Sequence, residues 1–197
     1  YDENAVFLGN FDYSVRAKFM PRAYYLAVWN ENEHDRYYGA TYQDINHLHI
    51  AVVAKNSVEQ TTLEQEIIQY IGQLDSLYKD RVRIHKVTEK PYGITLNGRL
   101  AAVHDLDGVK VQIKGLLVDR YGQTKLSSSR WLVNGFNTQE ISTQLRKNIT
   151  AFQDNISDFS LSVPASLNKP HEWVYVSDSS ITLNLERTAE MGAAWVM

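Results

Sequence analysis

Residues 61–79 read TTLEQEIIQYIGQLDSLYK, and this stretch decides the fold class. Apolar side chains recur in it at steps of three and four. They are Leu63, Ile67, Tyr70, Ile71, Leu74 and Tyr78. This stripe predicts an amphipathic helix that buries one face. Thr61 followed by Glu64 is typical of a capping box at the start of such a helix.

A second helix is predicted over residues 138–159. Its apolar positions again follow helical spacing. They are Ile141, Leu145, Ile149, Phe152, Ile156 and Phe159. Asn137 with Glu140 resembles a capping box at its start, and Pro164 indicates that the helix has ended by that point. Neither helix is apolar all round, so we expect each to cover a sheet.

The rest of the chain favours strands, because apolar and polar residues alternate in it. The clearest alternation is at 109–113, and we expect residues 119–123 to turn the chain back into a partner strand at 129–133. Strands are also predicted at 5–8, 24–29, 47–53, 82–84, 92–97, 173–176 and 181–185, the last two as a hairpin. Residues 30–36 are strongly polar, so we expect a loop there.

This order of elements predicts an α+β fold, in which two amphipathic helices, at about 61–79 and 138–159, cover a mostly antiparallel sheet in two layers. No stretch has the composition of a linker, so we predict one domain over residues 1–197. The alternative is that residues 1–45 form an N-terminal extension or a separate subdomain.

Composition excludes several classes of protein. The chain has 197 residues, of which 44% are hydrophobic and 22% charged, and this balance is that of a folded domain rather than a disordered tail. No run approaches the about 20 apolar residues that span a bilayer. The net charge of -3 argues against a nucleic-acid-binding protein, and the absence of cysteine excludes disulfides and thiolate metal sites.

The histidines are the main candidates for chemistry. His34 and Asp35 are adjacent in a polar segment, whereas His47 and His49 are two apart on a predicted strand and so share a face. Both imidazoles would then reach one metal ion, with Glu33, Asp35 or Asp44 completing the site. The alternative is that His47 and His49 form only the polar face of that strand.

Other motifs give no catalytic constellation. We find no glycine-rich phosphate loop, no Gly-x-Ser-x-Gly elbow and no His-Glu-x-x-His helix, so we assign no catalytic residue and no cofactor. Trp29, Tyr37 and Tyr38 are candidates for an aromatic patch that binds a partner. The alternative for these three side chains is that they cap a small core.

Residues 47–156 follow a recognisable course. The course is a strand at 48–53, a helix at 63–78, a strand at 82–87, the glycine-containing strand ITLNGRL at 94–100, a long hairpin at 109–133 with the turn Asp119-Arg120-Tyr121-Gly122, and a closing helix at 141–156. This pattern resembles modules of the Gram-negative envelope, namely the curli-secretion lipoprotein family, the lipoprotein activators of penicillin-binding proteins, and periplasmic flagellar-ring proteins. The first forty-odd residues, the tail beyond Phe159 and the lipid-bearing cysteine of such lipoproteins have no counterpart.

The resemblance implies a non-enzymatic interaction or assembly module in the periplasm or at the outer membrane. Its partners would be other envelope proteins or further copies of itself, with no nucleic acid and no transmembrane segment. The chain opens at Tyr1 without methionine, so we expect a processed upstream segment such as a signal peptide. One alternative is a small metal-dependent hydrolase that uses His34, His47 and His49. A second is a viral or phage structural protein.

Overall fold

The computed structural model describes residues 3–42 and 45–189, with side chains from residue 11 on. The chain has the predicted α+β fold. Its contacts divide it into two compact units. The first unit contains the residues up to 89 together with 128–133 and 168–173, and the second contains 90–127, 134–167 and the residues from 174 on. The assignment of one domain, with or without a separate segment at 1–45, stays a prediction.

The described residues form five α-helices and eight strands. The helices are α1 (Glu3–Phe19), α2 (Glu31–Tyr38), α3 (Gln60–Leu74), α4 (Leu106–Tyr121) and α5 (Thr138–Asn148). The strands are β1 (Ala23–Trp29), β2 (Leu48–Ala54), β3 (Val82–Ile84), β4 (Thr88–Pro91), β5 (Ile94–Leu100), β6 (Asp158–Ser162), β7 (Glu172–Tyr175) and β8 (Ile181–Arg187). Among the described helices, none is long and apolar enough to cross a membrane.

The first unit contains a sheet of three strands in the order β1-β2-β3. β2 is antiparallel to β1 and parallel to β3. Leu48 and Ile50 of β2 pack against α1 and α3, where Leu63 and Ile67 of the predicted apolar stripe are fully buried. Because side chains alternate across a strand, His49 lies on the opposite face of the sheet. That second face carries the candidate site.

The second unit contains a sheet in the order β6-β5-β8, in which β5 is antiparallel to β6 and parallel to β8. α4 and α5 bury one side each, through Val109, Ile113 and Leu117 on α4 and Ile141 and Leu145 on α5. A separate ladder joins β4 to β7. The strands thus form three small sheets, whereas the sequence predicted one mostly antiparallel sheet.

The predicted hairpin at 109–133 is wrong. Residues 109–118 lie in α4, because Val109, Ile113 and Leu117 also fit a spacing of four and this stripe is the one that is buried. Val111, which the alternating pattern placed on the same face as Val109, is 72% exposed. A short apolar run fits both periods, and packing selects between them. Residues 119–123 accordingly end a helix, and 129–133 form no strand.

Several other boundaries differ from the prediction. α3 ends at Leu74, and α5 ends at Asn148, so residues 158–159 belong to β6 rather than to a helix. The polar segment at 30–36, expected to be a loop, contains most of α2, and residues 5–8 lie in α1. The predicted hairpin strands at 173–176 and 181–185 lie in different sheets. The strands predicted at 24–29, 47–53, 82–84 and 92–97 are confirmed as β1, β2, β3 and β5.

Candidate metal centre

Three histidines come together on the second face of the first unit's sheet. His34, His49 and His85 each present a ring nitrogen, and these nitrogens all lie within 4.8 Å of one another. We call these three residues the histidine cluster. His49 is fully buried, His34 is 7% exposed, and His85 is half-buried. The cluster therefore lies at the edge of the protein interior.

α2 supplies His34. The side chain of Asn30 caps the start of this helix by accepting a hydrogen bond from the Glu33 backbone N–H, at 2.9 Å. At the other end Gly39 has a φ of 92°, a left-handed conformation that glycine adopts without strain. His34 and Tyr38 are four residues apart, so they share a face of the helix. Their rings lie 4.5 Å apart.

The sheet supplies His49 and His85. Trp29 of β1 is the register partner of His49, so the indole and the imidazole lie on the same face. His85 follows β3, and its backbone N–H donates to the Ile50 carbonyl oxygen at 2.8 Å, which extends the ladder by one residue. This bond places the His85 ring beside His49. Backbone pairing thus determines where two of the three imidazoles lie.

Ring stacking and hydrogen bonds hold the histidine cluster in this structure. The rings of His34 and His49 stack with centroids 3.8 Å apart and planes 4° apart. Trp29 Nε1 donates to His34 Nδ1 at 3.1 Å. His49 Nδ1 and His85 Nε2 share a hydrogen bond of 2.8 Å. An imidazole nitrogen that accepts a hydrogen bond carries no proton, so one nitrogen of this His49–His85 pair is unprotonated.

Tyr38 and His171 border the histidine cluster. The Tyr38 hydroxyl lies 2.6 Å from His171 Nδ1, and it accepts from the His171 backbone N–H at 3.1 Å. Burial raises the pKa of Tyr38 to about 12. Burial also lowers the pKa of His171 from its ordinary value, as does the charge of Lys169, against an opposing effect of Glu172. Both side chains therefore favour their neutral forms at neutral pH.

The structure brings together only part of the group that the sequence indicated. His34 and His49 meet, but His47 lies outside the cluster, with its Nδ1 2.9 Å from the Ile45 carbonyl oxygen. Asp35 is exposed, and Asp44 lies outside the described residues. His85 was missed, although residues 81–85 alternate as a strand, because nothing in the sequence shows that β3 pairs with β2.

The aromatic residues considered for partner binding pack within the first unit. Trp29 is only 1% exposed, which leaves it no surface to offer a partner. Tyr38 covers His34, and the ring of Tyr37 lies edge-on to Trp131, with centroids 5.0 Å apart. Tyr37 and Tyr38 are half-buried, so partner binding through this aromatic group stays a prediction, as does the alternative that the three side chains cap a small core.

The donor chemistry of the histidine cluster is that of a transition-metal site. Imidazole nitrogen suits zinc, copper, iron and nickel, whereas calcium and magnesium prefer oxygen ligands. No carboxylate belongs to the cluster among the described residues. Neutral imidazole is also the form that binds a metal ion.

The comparisons with known proteins add no family. No protein-family model matches the chain, and no curated protein matches it.

Proposed function

We propose that the first unit binds one divalent transition-metal ion, with Zn²⁺ as the representative case, through His34, His49 and His85. The observation that supports this proposal is the approach of three imidazole nitrogens to within 4.8 Å of one another. In a tetrahedral zinc site with Zn–N bonds of about 2.0–2.1 Å, ligand nitrogens lie about 3.3 Å apart. The nitrogens are thus close to the spacing of a zinc site, but the stacked rings of His34 and His49 have to rotate before they face one ion.

Binding has a defined cost. The parallel stack of His34 on His49 has to open, because a metal ion lies near the plane of each ring that ligates it. The hydrogen bond from Trp29 to His34 Nδ1 also has to break, because a ligating imidazole keeps no free nitrogen to accept it, and the His49–His85 bond breaks if either of its nitrogens becomes a ligand. A hydrogen bond contributes about 1 kcal/mol net, so each bond that opens is a small cost beside the formation of three metal–nitrogen bonds.

We propose a binding function without catalysis. Three histidines leave the fourth position of a tetrahedral zinc ion to water, as catalytic sites do, so the ground for proposing binding alone is the small space beside the site. Among the described pockets, the one that His34 lines has a volume of about 130 Å³. That volume holds a few water molecules, at about 30 Å³ each, but no large substrate. The metal-dependent hydrolase therefore stays an alternative prediction with no added support.

The envelope role also stays a prediction. It came from the resemblance to lipoprotein and flagellar-ring modules, and no described residue adds to it. The same holds for placement in the periplasm or outer membrane, for the absence of nucleic-acid partners, and for the viral or phage alternative. Metal binding is compatible with each of these predictions, so a titration with metal ions tests the metal site whichever of them holds.

The test is calorimetric titration of the full chain with Zn²⁺, repeated with Co²⁺ so that visible absorption reports the ligand geometry. We expect one ion per chain in the wild type and no stoichiometric binding in His85→Ala or His49→Gln. His47→Ala is the matched control, because His47 lies two residues before His49 and outside the cluster. Mg²⁺ should not compete.

Two results would contradict the proposal. One is a wild-type chain that takes up no stoichiometric ion in any titration. The other is a loss in His47→Ala as large as that in His85→Ala. Far-ultraviolet circular dichroism of each variant shows whether the fold persists, and His49→Gln keeps a polar side chain of similar size at the fully buried position.

A further inference from the structure

The pocket beside His34 is formed by α2 and the segment that follows it. Its wall includes Glu31 and Asp35 from α2, and Gly39, Ala40 and Ile45 from the chain after the helix. The positive φ of Gly39 turns the chain back across this side of His34. His34 is thus shared between the wall of this pocket and the histidine cluster.

The charge of this pocket suits a cation. Its lining contains the carboxylates of Glu31 and Asp35, and none of the described lining residues is a lysine or an arginine. Glu31 Oε2 also accepts a hydrogen bond from the Asn46 backbone N–H at 3.1 Å, which holds that carboxylate at the rim. Clefts lined by one sign of charge raise the local concentration of counter-ions and their association rate.

Of the three cluster histidines, His34 is the one that lines this pocket, so an ion that enters here meets it first. His49 is fully buried, so an ion reaches it only after passing another member of the cluster. His85 is half-buried, but Lys86 follows it and Arg83 lies two residues before it, in register with His49. Cationic neighbours disfavour the approach of a second cation. The acidic pocket is thus the favoured side for entry.

We infer that this pocket is the route by which the metal ion enters and leaves the histidine cluster, with Glu31 and Asp35 acting as steering carboxylates. The inference rests on the proposed metal-binding function. These carboxylates bind no metal in the final site, so they change the rates of exchange and leave the ligand set intact. His34 is the last group of the route and the first ligand of the centre.

The experiment is stopped-flow mixing of the full chain with Zn²⁺, followed by tryptophan fluorescence, since Trp29 donates to His34. In the double variant Glu31→Gln with Asp35→Asn, we expect the association rate at low salt to fall about tenfold. The dissociation rate should stay near that of the wild type. The difference should vanish at about 1 M salt, where the Debye length is about 3 Å.

Two further variants complete the design. Glu33→Gln is the matched control, because Glu33 is on the same helix, faces Arg36 at 3.8 Å and does not line the pocket. Ala40→Trp fills the pocket, so both rates should fall while the dissociation constant stays the same.

The outcomes separate the two proposals. A wild type that binds no zinc overturns the metal centre and the entry route together. Zinc binding with wild-type rates in both the double variant and Ala40→Trp overturns the entry route alone. An effect of Glu33→Gln equal to that of the double variant also overturns it, because steering would then come from the charge of the whole helix.

Discussion

The two units use histidine in opposite ways. In the second unit, His104 Nε2 lies 2.6 Å from Asp154 Oδ2. Asp154 also accepts from the backbone N–H groups of Ile156 and Ser157, and from the Ser157 hydroxyl. These four hydrogen bonds hold the carboxylate in the turn at 154–157, which is a structural role. In the first unit, three imidazoles come together, and no carboxylate of the described residues joins them. A histidine paired to an acid stabilises a turn, whereas clustered imidazoles are suited to a metal ion.

The largest expected effect comes from the two hydrophobic cores. Ile67 and Ile149 are both almost fully buried, at 0% and 2% exposure. Truncation of a buried isoleucine to alanine costs roughly 2–5 kcal/mol. We expect Ile67→Ala and Ile149→Ala each to lower the free energy of unfolding by that amount in urea titrations.

The same pair of variants tests whether the metal centre belongs to the first unit alone. Ile67 packs under the sheet that carries His49, so Ile67→Ala should also weaken zinc binding. Ile149 lies in the second unit, so Ile149→Ala should leave zinc affinity at the wild-type value. If Ile149→Ala weakens zinc binding as much as Ile67→Ala does, the contrast between the two units fails.

The second prediction concerns metal removal. A ligand that binds only the folded state stabilises it by about 2.7 kcal/mol at a concentration of 100 times its dissociation constant. We therefore expect Zn²⁺ to raise the thermal midpoint, and excess EDTA to return it to the metal-free value. His104→Ala should lower the midpoint but keep the zinc-dependent rise, whereas His85→Ala should lose the rise. If the zinc-dependent increase in the thermal midpoint were lost in His104→Ala instead, the metal site would have to lie in the second unit.

The sequence predicted the elements that have long, one-sided periodicity. The stripe of Leu63, Ile67 and Ile71 identified α3, and these three side chains are fully buried, whereas Leu74 at its end is exposed and Tyr78 lies beyond the helix. Sequence periodicity misassigned residues 109–118 as a strand, because Val109 and Ile113 fit both the strand period and the helix period. Only the burial of Val109, Ile113 and Leu117 in the folded protein distinguishes the two. Of the site, His34 and His49 were identified, but His85 depends on the parallel pairing of β2 with β3. Long-range pairing of this kind has no signature in a single short strand.

The third prediction contrasts the two units in acid. Burial and Lys169 keep the pKa of His171 below its ordinary value of 6.5, so the folded state binds fewer protons than the unfolded state as the pH falls through 6.5. The first unit should therefore lose stability below about pH 6.5.

The second unit responds at lower pH. Hydrogen bonds from His104, Ser157 and Ile156 overcome the effect of burial and lower the pKa of Asp154 from 3.8 to about 2. The stability that Asp154 contributes is present above pH 4 and is lost as the pH falls towards 2.

Hydrogen exchange measured by mass spectrometry from about pH 7 down to about pH 2, with intrinsic rates corrected for pH, separates the two effects. We expect protection in β1 and β2 to fall first, and protection around 154–157 to persist to lower pH. Asp154→Asn should remove the acid-dependent loss in the second unit without changing that in the first. Simultaneous loss in both units at the same pH would contradict the assignment of separate titrating groups.

The smallest expected effect comes from Tyr38→Phe. This substitution keeps the ring that stacks on His34 but removes the hydroxyl that contacts His171. The loss of such a hydrogen bond costs about 1 kcal/mol, measured by urea titration. Zinc affinity should change little, because no cluster nitrogen contacts that hydroxyl among the described bonds. A large loss of zinc affinity in Tyr38→Phe would instead make the hydroxyl a ligand or its support, and the centre would then extend beyond its three histidines.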